Sequence, residues 1–183
     1  MLGIIRSELL KMRHTFSMKL VFLAPLVILL LGYLLSGSYV QLSAYNWWYS
    51  MILPIVVSLC SASMIVREEK NGMQNIICLP VRFDKIWLGK TEALVILLLA
   101  GLFSAALSTV LFGVPFSYMT GTQLPVRFFV LIPIVLWVSN IMMYGLHLIL
   151  AFRFGRNFGI SIGVIGSLLS ALLQTSLVLD CDI

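Results

Sequence analysis

Apolar residues run almost unbroken through five stretches, at about 19–36, 47–66, 91–112, 128–150 and 158–178, and polar residues collect between them. A hydrocarbon core of about 30 Å is crossed by roughly 20 helical residues, so each stretch is read as a membrane span. Ahead of the first, Leu2, Ile5, Leu9, Met12 and Phe16 recur at steps of three and four, which places them on one stripe of a helix. The pattern predicts an amphipathic helix over residues 1–18 at the membrane surface, with Arg6, Lys11 and Arg13 toward the headgroups. The competing reading is a signal peptide. The apolar run from Leu20 to Leu35 is long for such a peptide and no clear small-residue cleavage site follows, so a retained first span is expected.

The longest stretch that cannot enter lipid is residues 67–90, which hold eight of the nineteen charged residues. Met73, Ile76 and Ile77 form one short helical face, and Phe83, Ile86 and Trp87 form another. Asn71-Gly72 and Leu79-Pro80 supply turns, and Asp84 is placed to cap the second piece with Phe83 and Leu88 as a hydrophobic staple. A helix-turn-helix with its charges facing the cytosol is expected.

Composition supports the membrane reading, since 61% of the chain is hydrophobic and 10% charged, against about a quarter charged in an ordinary soluble domain. A net charge of +5 raises nucleic acid as a partner, but the basic residues sit in short segments beside apolar spans instead of along one exposed face. Membrane topology is the better explanation, and no nucleic-acid partner is expected. Eleven of the twelve basic residues fall on one side of the five spans, with Arg127 alone on the other. That asymmetry orients the N-terminus toward the cytoplasm. Residues 37–46 and 113–125 are then short external loops, and an odd number of spans puts the termini on opposite sides. The whole chain, 1–183, reads as one transmembrane domain.

Candidate chemistry is sparse. Trp47, Trp48 and Tyr49 lie at the outer end of the second span, where interfacial anchoring is commoner than a ligand platform. Gly155, Gly159, Gly163, Ser167 and Ala171 fall four apart and predict close helix packing along the fifth span. Asn140, Tyr144 and His147 share a face of the fourth span by spacing, which fits either a polar helix contact or a strip lining a substrate path. A lone His makes no metal site. Cys60, Cys78 and Cys181 have no metal or redox spacing and are read as unpaired. No phosphate-cradling Gly-x-x-x-x-Gly-Lys-Ser/Thr occurs, and no intramembrane catalytic set is visible, so no enzymatic activity and no bound cofactor are expected.

Two motifs carry a family resemblance. Glu68-Glu69-Lys70-Asn71-Gly72-Met73, Ile76-Ile77, Leu79-Pro80-Val81 and Trp87-Leu88-Gly89-Lys90 together resemble the loop between spans two and three of ABC-2 type transporter permeases. Ser7-Glu8-Leu9-Leu10-Lys11-Met12-Arg13-His14-Thr15 resembles that family's N-terminal surface helix. The Asn-Gly, Leu-Pro-Val and Lys-Ile-Trp-Leu-Gly-Lys wording is similar to the lantibiotic-immunity permeases within the group.

The resemblance implies an all-α integral membrane bundle of six spans with an interfacial N-terminal helix, whereas five are read here and the last is expected to be absent. It implies a bacterial cytoplasmic membrane, a second permease chain in a homo- or heterodimer, and a separate ABC ATPase subunit that binds the ATP. By the same likeness the cargo is a lantibiotic or other antimicrobial peptide, expelled for self-immunity. Glu68, Glu69, Asn71, Gly72, Met73, Ile76, Ile77, Pro80 and Lys90 become the ATPase-coupling loop, with Glu8 and Lys11 on the interfacial helix. A truncated permease acting as a non-transporting scaffold or regulatory subunit is the alternative.

Overall fold

The structure, a computed structural model, describes residues 2–13, 15–36, 39–70, 83–113 and 125–181. All regular elements among these are helical: α1 (Leu2–Met12), α2 (Phe16–Ser36), α3 (Val40–Trp47), α4 (Leu53–Lys70), α5 (Phe83–Ser108), α6 (Val126–Ser139), α7 (Ile141–Phe154) and α8 (Arg156–Cys181). Short π-helical segments, Trp48–Ile52 and Thr109–Gly113, join α3 to α4 and extend α5. Four helical stretches are long and apolar enough to cross a membrane, and the pair α6 and α7, bent by 45° at Asn140, makes a fifth if it is one span. Four of the five spans expected from hydrophobic patterning are therefore present as single apolar helical stretches, and the fourth in chain order corresponds to the bent pair α6 and α7.

Three boundaries differ from expectation. The first helix stops at Met12 instead of running to residue 18, because the Thr15 amide closes back on the Met12 carbonyl at 2.9 Å and Thr15 caps α2, its Oγ1 accepting from the Met18 amide at 3.4 Å. Phe16, placed by spacing on the apolar stripe of the first helix, instead begins α2 and is 72% exposed. Residues 37–46, expected as an external loop, are largely α3. Val40, Gln41, Ala44 and Tyr45 are buried there, and Gly32 of α2 lets the α3 backbone approach.

The third difference concerns residues 67–90. The second span continues as helix to Lys70, and the piece expected after Pro80 is the first turns of α5. Asp84 sits in the first turn of that helix and not in a separate cap, and Leu88 is exposed instead of closing a staple. Among the residues of the proposed coupling loop, Asn71, Gly72, Met73, Ile76, Ile77 and Pro80 lie outside the described residues.

The core forms around α4, the most buried of the candidate spans, which packs against α7 and α8. Val56, Val57, Cys60 and Met64 from α4 meet Leu94, Leu97 and Leu98 of α5 and Tyr144, Leu148 and Ala151 of α7 in one cluster. The small-residue ridge of the last span faces this chain's own helices. A methyl added at Gly163 would strike Ser58 and come within 3.1 Å of the Pro54 carbonyl, so only glycine allows that approach of α8 to α4. Ser167, one turn further, is fully buried. Gly155 is not in the helix but joins α7 to α8 at φ +89°, a conformation costly for other residues. Polar ties fix the rest: Trp137 Nε1 donates to the Val95 carbonyl at 3.0 Å, joining α6 to α5, and Trp87 stacks edge-on against Phe152 at 5.0 Å.

Candidate functional site

Glu8 and Lys11 lie one turn apart on α1, Glu68 lies near the end of α4, and Lys90 lies in the second turn of α5. The fold brings these four to one point. Lys90 Nζ donates to Glu8 Oε2 at 2.8 Å and to Glu68 Oε1 at 2.9 Å. Lys11 Nζ donates to Glu8 Oε1 at 2.7 Å and to the same Glu68 Oε1 at 3.0 Å. The result is a closed ring in which each cation touches both carboxylates and each carboxylate touches both cations.

The ring is interior. Glu68 is 1% exposed, Lys90 2% and Glu8 5%, and only the Lys11 side chain reaches partly into solvent. Isolated, any of these charges would be strongly disfavoured by the loss of water, and their mutual neutralisation is what makes burial tolerable. Burial acts to lower the Lys11 pKa, but the hydrogen bonds to Glu8 and Glu68 outweigh it, so the ammonium is held above its ordinary value of 10.5. Glu68 Oε2 is buried with no hydrogen-bond partner among the described residues.

Placement of the expected residues is thus mixed. Glu68 does not face the cytosol as a docking carboxylate, because its side chain turns inward to the two lysines. Lys11 likewise points into the ring and not toward headgroups. Glu69, the next residue, is exposed and keeps the orientation a docking group needs. Lys90 and Glu8, assigned to different segments by sequence, prove to be direct partners across 82 positions.

Asn140, Tyr144 and His147 do not form one continuous strip. Asn140 occupies the bend between α6 and α7, where its Nδ2 donates to the Leu136 carbonyl at 2.7 Å. Tyr144 and His147 are buried in the bundle, and Tyr144 Oη and His147 Nδ1 have no hydrogen-bond partner among the described residues. At the bundle end opposite the ring, a cavity of about 530 Å³ lies between α3 and α6, lined by Tyr39, Tyr45, Asn46 and Tyr49 with Ile132 and Leu136. In the aromatic triplet Trp48 is buried, while Trp47 and Tyr49 are exposed. Of these, Tyr49 borders that cavity.

The ring is charge-balanced and ties α1 to both helices that flank residues 71–82. Among the described residues no group of three His, Cys, Asp or Glu could hold a metal ion. Cys60 is free and buried; the side chains of Cys78 and Cys181 lie outside the described residues.

Residues 4–171 match the family described as ABC-2 family transporter protein. No curated protein and no solved structure matches the sequence.

Proposed function

The chain belongs to the ABC-2 family of transporter proteins, and on that premise we propose that it is the permease subunit of an ABC transporter whose energy comes from a separate ATPase. Two such chains, alike or paired with a sister permease, surround the transport path, and the N-terminus, α1 and residues 71–82 face the cytoplasm. The observation that carries this reading is the ring of Glu8, Lys11, Glu68 and Lys90. A segment pushed by a closing ATPase moves the membrane helices only if it is rigidly joined to them, and the ring joins both of its flanks to each other and to α1. Such rigid joints let a soluble closure bias a two-state arrangement of spans.

In this reading the ATPase meets residues 71–82 and the exposed Glu69, while Glu68 transmits and does not touch it. The cargo is a cationic, amphipathic antimicrobial peptide of the lantibiotic kind, removed from the membrane to protect the producing cell. What supports that cargo is the resemblance of the Asn-Gly, Leu-Pro-Val and Lys-Ile-Trp-Leu-Gly-Lys segments to immunity permeases. A scaffold or regulatory subunit is the second reading.

Affinity purification from native membranes tests both. A transporter subunit is expected to bring down an ATP-binding protein whose hydrolysis rises on adding peptide, and Glu69→Lys is expected to weaken that recovery. Recovery of an ATPase indifferent to every peptide tried would favour the scaffold. Labelling of Lys85 in intact cells checks the orientation, since reaction from outside would reverse it.

A further inference from the structure

At the same bundle end as the ring, on another side of α4, a cleft of about 570 Å³ opens between α4 and the first turns of α2 and α8. Its rim carries Arg67 and Lys70 from α4 and Arg156 from α8. Below the rim Val66, Ala62, Ile160 and Leu59 alternate with Thr15, Ser17 and Ser63, whose hydroxyls already donate to the backbone carbonyls of Met12, Leu59 and Cys60. From Lys70 to Leu59 the cleft follows α4 for about 16 Å, at roughly 1.5 Å per residue.

Three cations converge on this rim without a carboxylate. Among the described residues none of the three is in an ion pair, and Arg156 Nε donates only to the neighbouring Asn157 side chain at 3.2 Å. Glu8 and Glu68 are turned away into the ring, and Glu69 does not line the cleft. The first amides of α8, a helix of 26 residues, open at the same rim and add the positive end of its dipole. An anion therefore suits the top of the cleft, and an acyl chain, which asks for no hydrogen bonds, suits a floor whose hydroxyls are already bonded.

We propose that this cleft binds an anionic phospholipid, its phosphate held by Arg67, Lys70 and Arg156 and the start of its acyl chains lying along α4. Basic pockets between helices at a membrane surface recognise acidic headgroups in this way. A free phosphate would use the rim alone and leave the depth along α4 unfilled, and a protein carboxylate would not enter between the helices. The lipid thus ties α4 to α8 at the level where both leave the membrane. This site stands whether or not the chain transports a peptide.

Native mass spectrometry of the full chain, released from nanodiscs of equal phosphatidylglycerol and phosphatidylcholine, tests the proposal. Wild type is expected to retain phosphatidylglycerol selectively, and R67Q/R156Q to retain it about 25-fold less, at roughly fivefold per charge. The charge-keeping R67K/R156K is expected to retain most of it. Ser63→Trp, which fills the cleft and keeps all three cations, is expected to lose it, and this variant decides the matter if R67Q/R156Q does not fold. Equal retention of the two lipids by wild type, or undiminished retention by Ser63→Trp, would overturn the site. Displacement of the lipid by millimolar inorganic phosphate would reassign the rim to a free anion. Loss of ATPase recovery in R67Q/R156Q with lipid retention intact would reassign it to a protein contact, and either result sinks the lipid assignment.

Discussion

Lys90 Nζ lies 2.9 Å from Glu68 Oε1, and this contact closes the gap between the two helices that lead into and out of residues 71–82. Both side chains are almost wholly buried, and Glu8 and Lys11 give each of them a second charged partner in place of water. Four charges act as one element.

Removing one member should therefore cost more than removing two. Glu68→Ala leaves Lys90 and Lys11 sharing a single carboxylate, and breaking a buried pair in this way costs about 3–5 kcal/mol. The double change Glu68→Met with Lys90→Met removes one charge of each sign and is expected to recover much of that loss. Thermal unfolding of the purified chain in detergent reads both. Equal destabilisation by the single and the double change would mean that the ring contributes through packing alone.

Alkaline pH should loosen the same joint from the Lys11 side. The folded-state pKa of Lys11 is raised, so its contribution is fully present below the unfolded value near 10.5 and fades as pH rises through the folded value. The melting temperature of wild type is expected to fall toward that of Lys11→Met as pH climbs beyond about 10.5. A constant gap between the two proteins over that range would show that the Lys11 charge is not what the ring uses.

Much of this architecture was legible in the residues, and the misses have physical causes. Length and apolarity located the five spans because lipid admits few alternatives. The helix α3 was missed because Ser43, Tyr45 and Asn46 read as loop, although Val40, Ala44 and Trp48 stand one turn apart and all three are buried. The ring is hidden from a reading in which charge marks contact with water. Glu8 shares the stripe of Ile5 and Met12, and Lys90 shares that of Ile86 and Leu94, so each is a charge on an apolar face. That signal calls for an opposite charge from elsewhere in the chain. Which one supplies it depends on how α1 crosses α4 and α5, a tertiary arrangement that periodicity within one helix does not encode.

Close packing of α8 on α4 makes a further stability prediction with an internal control. A side chain at Gly163 meets Ser58 and the Pro54 carbonyl, whereas one at Gly166 meets open space. Gly163→Ala is expected to destabilise by about 1–3 kcal/mol through overpacking. Gly166→Ala is expected to be neutral or mildly stabilising, since glycine weakens a helix interior. Matched thermal melts separate them, and equal effects would place the tight contact elsewhere.

Tyr144 distinguishes a packed core from a substrate path. Its ring is buried among Leu148, Val57 and their neighbours, and its hydroxyl has no partner among the described residues. A buried hydroxyl without a protein partner contributes little to stability, so Tyr144→Phe should leave stability unchanged or raise it by about 1 kcal/mol. If the face served as a polar lining for cargo, the hydroxyl would be hydrated in the open state of the bundle, and its loss would alter peptide-stimulated ATP hydrolysis by the assembled complex while stability changed little. Melting and peptide-stimulated hydrolysis measured on the same variant therefore give different answers for the two roles. The burial of Tyr144 predicts the first: a melting temperature equal or higher, and hydrolysis within about twofold of wild type, a twofold change being only about 0.4 kcal/mol in barrier.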